Sequence, residues 1–156
     1  VMQEKELLRK LGEETLYSAK GHFKACDLRR HVIALAIRVR VITSILDIMN
    51  LITNDIWFDA IGLFGAIALL IWNEGEGKNY RAKHKEAAEK YLALHKEIRS
   101  CYFLSDCDKT QVEQLSKTVI QFDQSEKPEI PSYARKWAKK AIESNDPETD
   151  NWFLNI

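Results

Sequence analysis

The sequence predicts an all-α protein: an integral membrane hairpin of two helices, preceded by a long N-terminal helix and followed by C-terminal cytoplasmic helices. Three observations predict this class. Apolar residues recur at helical spacing along the 156 residues, without the alternation typical of strands. Residues 41–77 contain no lysine or arginine, so all 23 basic residues lie in the flanks. The apolar residues are most concentrated in the same segment, which indicates a membrane-embedded centre between water-facing flanks.

The first predicted region, residues 1–31, is a cytoplasmic helix. Leu8, Leu11 and Ala19 recur at three- and four-residue multiples, and no proline interrupts them. No stop signal precedes His31, so we expect this helix to continue directly into the apolar stretch that follows.

The second region, residues 32–72, is the predicted transmembrane hairpin, with helices over about 32–53 and 56–72. The second helix has 17 residues. At 1.5 Å per residue it extends about 25 Å, which is short but adequate for a bilayer core. Trp57 and Trp72 bracket it at the positions expected for the two membrane interfaces.

The charges around the hairpin predict its orientation. The only charged residues at the turn are acidic, namely Asp55 and Asp59. The flanks carry ten basic residues: Lys20, Lys24, Arg29, Arg30, Arg38, Arg40, Lys78, Arg81, Lys83 and Lys85. By the positive-inside rule both termini are cytoplasmic, and Arg38 lies at the cytoplasmic membrane interface.

The polar residues of the first span lie on one face about 120° wide, at 100° per residue. They are Arg40, Thr43, Ser44, Asp47, Asn50 and Asn54. A carboxylate in mid-membrane is costly to expose to lipid, so Asp47 should face protein or water. We therefore predict that this face lines a pore or an oligomer interface. The alternative is that Asp47 is protonated or hydrogen-bonded within one helix pair.

Small residues in the second span predict close helix packing. Gly62 and Ala66 are four residues apart, and Gly65 lies beside them. Such residues let the backbones of neighbouring helices approach each other, so we expect the second spans to pack behind the first at this point.

The third region, residues 73–156, is predicted to be a cytoplasmic helical region. A helix over 80–103 is followed by one that Asp108 caps, with Gln111 as its N3 partner. Ser132 should cap a last helix. Apolar faces are expected on these helices: Ala88, Tyr91, Leu92, His95, Ile98 and Tyr102 on the first, Val112, Leu115, Val119 and Phe122 on the second, and Tyr133, Trp137, Ala141 and Ile142, facing a partner, on the last.

Catalytic and cofactor motifs are absent from the sequence. The four histidines form no H-x-x-x-H or H-E-x-x-H pair, and no glycine-rich phosphate loop occurs. The three cysteines lack a C-x-x-C spacing, which indicates neither a disulfide framework nor a zinc site. The net charge is zero, so nothing overall points to a nucleic-acid partner. We therefore expect no enzyme, no metal and no cofactor, and a packing role for His95.

The order of these segments resembles the SLATT family, the two-transmembrane effector domains associated with SMODS nucleotidyltransferases and SLOG nucleotide sensors of bacterial conflict systems. The resemblance covers roughly residues 14–142. It rests on the hairpin and on two later segments: Tyr91, Leu92, Ala93, Leu94 and Ile98, then Pro128, Pro131, Tyr133, Ala134 and Ala138. It implies an oligomeric effector in the bacterial inner membrane that forms a pore or disrupts the bilayer in antiviral, abortive-infection defence. A nucleotide-signalling enzyme or sensor would be its partner, besides lipid and further copies of the chain.

Two other interpretations remain open from the sequence. One is a membrane-anchored adaptor that recruits a cytoplasmic partner through its C-terminal helices and conducts nothing. The other is a soluble bundle in which the two apolar helices form a buried core hairpin, since a run of 17 residues is borderline for a span. The polar face of the first span favours the pore, because an anchor has no need of it.

Overall fold

Helices form all the regular structure in the part of the chain that the computed structural model describes, which is residues 2–48, 56–72, 77–104, 107–144 and 149–154. The all-α prediction is therefore confirmed. The elements are α1 (Met2–Ile48), α2 (Ile56–Trp72), α3 (Lys78–Phe103), α4 (Lys109–Gln124), α5 (Ser132–Glu143) and a 3₁₀ helix (Trp152–Leu154).

The long helix α1 runs without a break for 47 residues. Its passage through His31 into the apolar stretch confirms the prediction of one continuous helix. Two glycines in its interior are explained by packing. A Cβ atom on Gly12 would lie 2.5 Å from the indole of Trp152, and one on Gly21 would lie 3.0 Å from Ile130. At both positions the missing side chain leaves room for a residue from the C-terminal half of the chain to pack against α1.

The chain forms two compact units. Unit 1 comprises residues 1–25 and 83–156, and unit 2 comprises Cys26–Ala82. The sequence placed its boundaries at residues 31 and 72, because it followed the change from charged to apolar composition. The units divide within α1 and within α3, where neither helix has a sequence signal, and the predicted membrane boundaries stay predictions.

Unit 1 has an apolar core built from α1, α3, α4, α5 and the 3₁₀ helix. The core residues are Leu8, Leu11, Leu16, Ile98, Cys101, Val112, Val119, Ile142, Trp152 and Phe153. The expected cap of α4 is confirmed: the Asp108 carboxylate accepts a hydrogen bond from the Gln111 backbone at 2.8 Å, and the Gln111 side chain accepts one from the Asp108 backbone at 3.2 Å. This reciprocal pair satisfies two backbone donors at the helix start.

Three expectations for unit 1 are wrong. Helix α5 buries Ala134, Ala138 and Ile142, whereas Tyr133 and Trp137 are 38% and 47% exposed. The N-cap of α5 is the residue before Ser132, and it makes no side-chain cap. The absence of a disulfide was also expected wrongly.

The disulfide joins Cys101 at the end of α3 to Cys107, which lies just before α4, with their Cα atoms 5.3 Å apart. It closes the short connection between these two helices. Cys26 takes no part in this disulfide. The spacing of six residues matches none of the common cysteine motifs, so the sequence did not indicate the bond.

Unit 2 contains the rest of α1, helix α2 and the start of α3. Arg29 stacks its guanidinium 4.3 Å from the centre of the Tyr80 ring, a cation–π contact between α1 and α3. Among the helices that the structure describes, none combines the length and the apolar character needed to cross a membrane.

Candidate functional site

The candidate site is a groove between α1 and α2 in unit 2, with a volume of about 520 Å³. We call it the hairpin groove. Its lining is Val32, Leu35, Ala36, Val39, Arg40, Thr43, Ile61, Gly62, Gly65, Ala66 and Leu69. The structure therefore brings together residues that the sequence placed in two separate roles, the polar face of the first span and the small residues of the second.

Arg40 crosses from α1 to α2 in this groove. A Cβ atom on Gly62 would lie 3.0 Å from a terminal nitrogen of the Arg40 guanidinium and 3.5 Å from its Cδ atom. The side chain is half-buried. Gly62 thus provides the space in which a long cationic side chain lies against a helix backbone.

Thr43 and Ser44 lie one turn further along α1, and both are half-buried. The Thr43 hydroxyl donates a hydrogen bond of 2.9 Å to the Arg40 backbone oxygen. This intrahelical bond satisfies the hydroxyl without any partner outside the helix, which lets threonine occupy an apolar environment at little cost.

Gly65 and Ala66 differ in their surroundings. Ala66 is half-buried, whereas Gly65 is exposed, and a Cβ atom on it would meet no atom within 4 Å. Within this hairpin Gly65 therefore faces open space, and the close packing predicted for it is not supplied by α1.

The structure describes the remaining predicted site residues to different extents. Arg38 is exposed on α1. The backbones of Asp47, Trp57 and Trp72 are helical, but their side chains lie outside the described part. Asn50 and Asn54 lie outside the described residues altogether. The assignments of these residues to a pore, an interface or a membrane boundary therefore stay predictions.

Sequence reasoning missed a buried histidine pair in unit 1. Nδ1 of His22 in α1 lies 2.8 Å from Nδ1 of His84 in α3, and the two side chains are 1% and 0% exposed. Such a contact is a hydrogen bond when one nitrogen carries the proton and the other offers a lone pair. Burial, with smaller contributions from His84 and Lys127, lowers the pKa of His22 from 6.5 to about 4.

An aromatic side chain continues this buried cluster. The ring of Tyr91 stacks on His22 with centroids 5.8 Å apart, and its hydroxyl donates a hydrogen bond to the Asp123 carboxylate. Burial, and then the bond to Asp123, raise the pKa of Tyr91. The tyrosine stays neutral and connects α3 to α4.

The packing role expected for His95 is confirmed. Its Nδ1 lies 2.8 Å from the Gly12 backbone oxygen, and its Nε2 lies 3.1 Å from the Asp150 backbone oxygen and 3.3 Å from the indole nitrogen of Trp152. Because a backbone oxygen can only accept a hydrogen bond, the 2.8 Å contact with Gly12 places a ring proton on Nδ1. Burial is the largest influence on the pKa of His95 and lowers it. The neutral ring thus holds α1, α3 and the 3₁₀ helix together.

The signals for these clusters are weak in the sequence. His22 and His84 are separated by 61 intervening positions that include the whole hairpin, so no local spacing links them. Among the described residues, no group of three or more histidine, cysteine or acidic side chains is placed to hold a metal ion. No family model matches the sequence, and no curated protein or solved structure matches it significantly.

Proposed function

We propose that this chain is an oligomeric, non-enzymatic membrane effector, in which the α1–α2 hairpin enters the bacterial inner membrane and forms a pore or disrupts the bilayer. Both termini would be cytoplasmic. The antiviral role and the upstream nucleotide signal are taken from the resemblance to SLATT effectors alone.

One observation carries the proposal, and it is the apolar outer surface of unit 2. Large apolar side chains there are exposed by between 36% and 74%, namely Val32, Leu35, Ile37, Val39, Val41, Ile42, Ile45, Ile61, Leu63, Phe64, Ile67, Leu70 and Ile71. Soluble monomers rarely expose a contiguous apolar patch of more than a few hundred Å². A surface of this kind calls for lipid or another protein surface, and the proposal supplies both.

The positions of the polar groups in the hairpin also support a lipid environment. Arg40 and Thr43 lie in the groove between the helices, while the opposite side of α1, around Ile42 and Ile45, is exposed and apolar. A segment in lipid must direct its polar groups toward protein and its apolar groups outward. Residues 40–45 of α1 have this distribution, whereas Arg38, just before them, is exposed where the cytoplasmic interface is proposed.

Helix length sets a condition on the proposal. The 17 residues of α2 extend about 25 Å, against a hydrocarbon core of about 30 Å. A short hydrophobic helix is accommodated by local thinning of the bilayer or by oligomerisation. The proposal therefore requires a hairpin that thins the membrane around it, and thinning is itself a step toward disruption.

Oligomer formation is argued from Gly65. This position faces empty space in the isolated hairpin, beside the half-buried polar side chains of the groove. A helix from a second copy can approach closely where a side chain is missing. Several hairpins that meet along this groove would enclose Arg40, Thr43 and the carboxylate of Asp47 in a shared path.

The direct test is leakage of dye from vesicles with the purified full chain, which should release it. The variant Phe64→Glu places a charge at a position that is 74% exposed, so it should leave the fold intact. A charge in mid-membrane costs about 2.5–3.5 kcal/mol, so leakage should fall about 70-fold or more. Its control is Ile120→Glu on α4 of unit 1, where the side chain is 50% exposed and leakage should not change.

Three outcomes contradict the proposal. They are vesicles that stay intact with the wild-type chain, equal leakage by the two charged variants, and vesicle binding without leakage, which would fit a non-conducting anchor. Gly65→Ala tests the oligomer separately, because the added methyl group meets no atom in the isolated hairpin. It should reduce crosslinked dimers, and unchanged crosslinking would exclude a neighbour at this position.

The conducting path has its own test. Asp47→Asn removes one charge per subunit and should lower cation selectivity in planar-bilayer recordings, since rings of carboxylates favour cations. Asp59→Asn near the expected outer interface is the control. Clear channels with unchanged selectivity in Asp47→Asn would remove this carboxylate from the path.

A further inference from the structure

The outward side of α5 presents aromatic and basic residues together. Tyr133 and Trp137, one turn apart, are 38% and 47% exposed. At 100° per residue, Lys136 and Lys140 fall in the same sector, which is about 100° wide. We call these four residues the α5 outer face. The buried stripe of α5, Ala134, Ala138 and Ile142, lies on the other side and packs into unit 1.

The helix is held firmly in unit 1. Ala134 and Ala138 are fully buried, and Ile142 belongs to the apolar core. The Tyr17 hydroxyl of α1 donates a hydrogen bond of 3.1 Å to the Arg135 backbone oxygen. The outer face is therefore a fixed part of a folded unit, and its exposure follows from the packing of the opposite side.

The charge on α5 is strongly one-sided although the whole chain is neutral. The helix contains Arg135, Lys136, Lys139 and Lys140 against one carboxylate, that of Glu143. That carboxylate lies 3.8 Å from the Lys139 ammonium, and both groups are more than 60% exposed. The acidic group of this helix is thus beside Lys139, and none of the four residues of the outer face is acidic.

We infer that the α5 outer face docks on a lipid surface that carries anionic phosphate headgroups. Tyrosine and tryptophan favour the membrane–water interface, because an apolar ring and a polar tip suit that boundary. Lysines beside them gain from the negative potential of anionic lipids. The inference rests on the proposed function in placing the chain at a bilayer, and it adds the class of lipid and a second contact, made by unit 1.

The chemistry of this face favours lipid over an acidic protein. Its charges are lysine ammonium groups, which act as hydrated point charges, and it lacks the arginine forks that bind carboxylates in a bidentate manner. It is also the outer side of a single helix, without a concave groove for a peptide. Lipid phosphates can pair with such lysines in many relative positions, so no precisely shaped site is needed.

The test compares vesicle flotation of the full chain on phosphatidylcholine alone and on mixtures with phosphatidylglycerol. Binding to the neutral vesicles reports the hairpin, and the gain on adding the anionic lipid reports the α5 outer face. The variant Lys136→Glu/Lys140→Glu should lose that gain. Loss of one lysine should cost about fivefold, so reversal of both charges should cost about 25-fold or more. Its melting temperature should stay unchanged, because both residues are exposed.

A matched control makes the same charge change on another helix. Lys109→Glu/Lys117→Glu alters two exposed lysines of α4, and it should keep most of the gain with anionic vesicles. Trp137→Ser should weaken binding to the anionic vesicles with little effect on its salt dependence, since it removes an apolar contact and no charge. If both lysine variants lost the same amount of binding to anionic vesicles, the effect would come from net charge alone and the inference would be overturned.

The outcomes separate this inference from the proposed function. Binding to neutral vesicles with no gain on anionic ones overturns the inference and leaves the hairpin proposal standing. Binding only to anionic vesicles, sensitive to Lys136→Glu/Lys140→Glu, supports the inference and contradicts hairpin insertion. Binding to neither vesicle overturns both. Capture of soluble polyglutamate by the wild type but not by that variant, without a gain on anionic vesicles, assigns the face to an acidic protein and overturns the lipid assignment.

Discussion

Acidification should destabilise unit 1 through its buried histidine pair. The pKa of His22 is about 4 in the folded chain, and its ordinary value is 6.5. Between these two values the unfolded chain binds a proton that the folded chain does not, so stability falls as the pH falls. The stabilisation is complete above pH 6.5, is lost progressively as the pH falls toward 4, and is absent below that.

The size of the effect follows from the two pKa values. At about 1.4 kcal/mol for each pKa unit, the full loss is about 3 kcal/mol, of which about 2 kcal/mol is lost by pH 5. The free energy of unfolding of a small domain is about 5–15 kcal/mol, so this is a large fraction. Burial of His95 lowers the pKa of that ring too, which acts in the same direction.

The assay is urea unfolding of the full chain at several pH values, with NMR titration of the histidine ring protons. The variant His22→Asn removes the titrating ring and places an amide near the former Nδ1, where it can still bond His84. Its stability should be lower at pH 8 but should depend less on pH between 6.5 and 4. Equal pH dependence in the variant and the wild type, or titration of His22 near 6.5, would refute the reasoning.

Three further predictions concern unit 1. Gly12→Ala places a methyl group 2.5 Å from the Trp152 indole and should lower the free energy of unfolding by about 1–3 kcal/mol, as measured by calorimetry. In a Trp152→Phe background, where the smaller ring relieves the clash, Gly12→Ala should cost less. An equal cost in the two backgrounds would contradict this explanation. Asp108→Ala removes the α4 cap and should cost about 0.5–2 kcal/mol, whereas Asp108→Asn should cost little, as measured by thermal unfolding. Reduction of the bond between Cys101 and Cys107 should cost about 2 kcal/mol, because it closes a loop of only a few residues. Cys101→Ser should show the same loss and no further response to reductant, and a response would argue against the bond.

The elements that the sequence predicted well are those whose causes are local. The ends of α2 coincide with the apolar run, because a change in residue type marks both of them. The cap of α4 needs only Asp108 and a glutamine three residues later. The continuity of α1 follows from the absence of any breaking residue up to Ile48. In each case a few adjacent residues carry the whole physical reason.

The features that the sequence missed depend on contacts between distant segments. His22 meets His84 only because α1 and α3 pack together in unit 1. On α5 the bulk of Tyr133 and Trp137 suggested a packing face, but the small stripe of Ala134 and Ala138 allows closer approach and is buried instead. Size and hydrophobicity alone do not reveal which of two adjacent stripes fits a neighbour.

The candidate site was predicted in part for the same reason. Helical spacing placed Arg40 and Thr43 on one face, and both line the hairpin groove. The small residues of α2 were identified from spacing, but the contact between Gly62 and Arg40 was not, because it depends on the register between two helices. That register is a property of the packed pair and cannot be derived from either helix by itself.

Because the chain is synthesised from its N-terminus, the segments that form unit 2 are complete before those that form unit 1. Unit 2 is one continuous segment, Cys26–Ala82, whereas unit 1 joins residues 1–25 to residues 83–156. Gly12 in unit 1 packs against Trp152, which is synthesised 140 residues later. At 5–20 residues per second a ribosome needs about 4–15 s to make the intervening C-terminal part. The hairpin, with its apolar surface, is therefore complete for seconds before unit 1 can close, so early capture of the hairpin by a membrane or a chaperone would protect the nascent chain from aggregation.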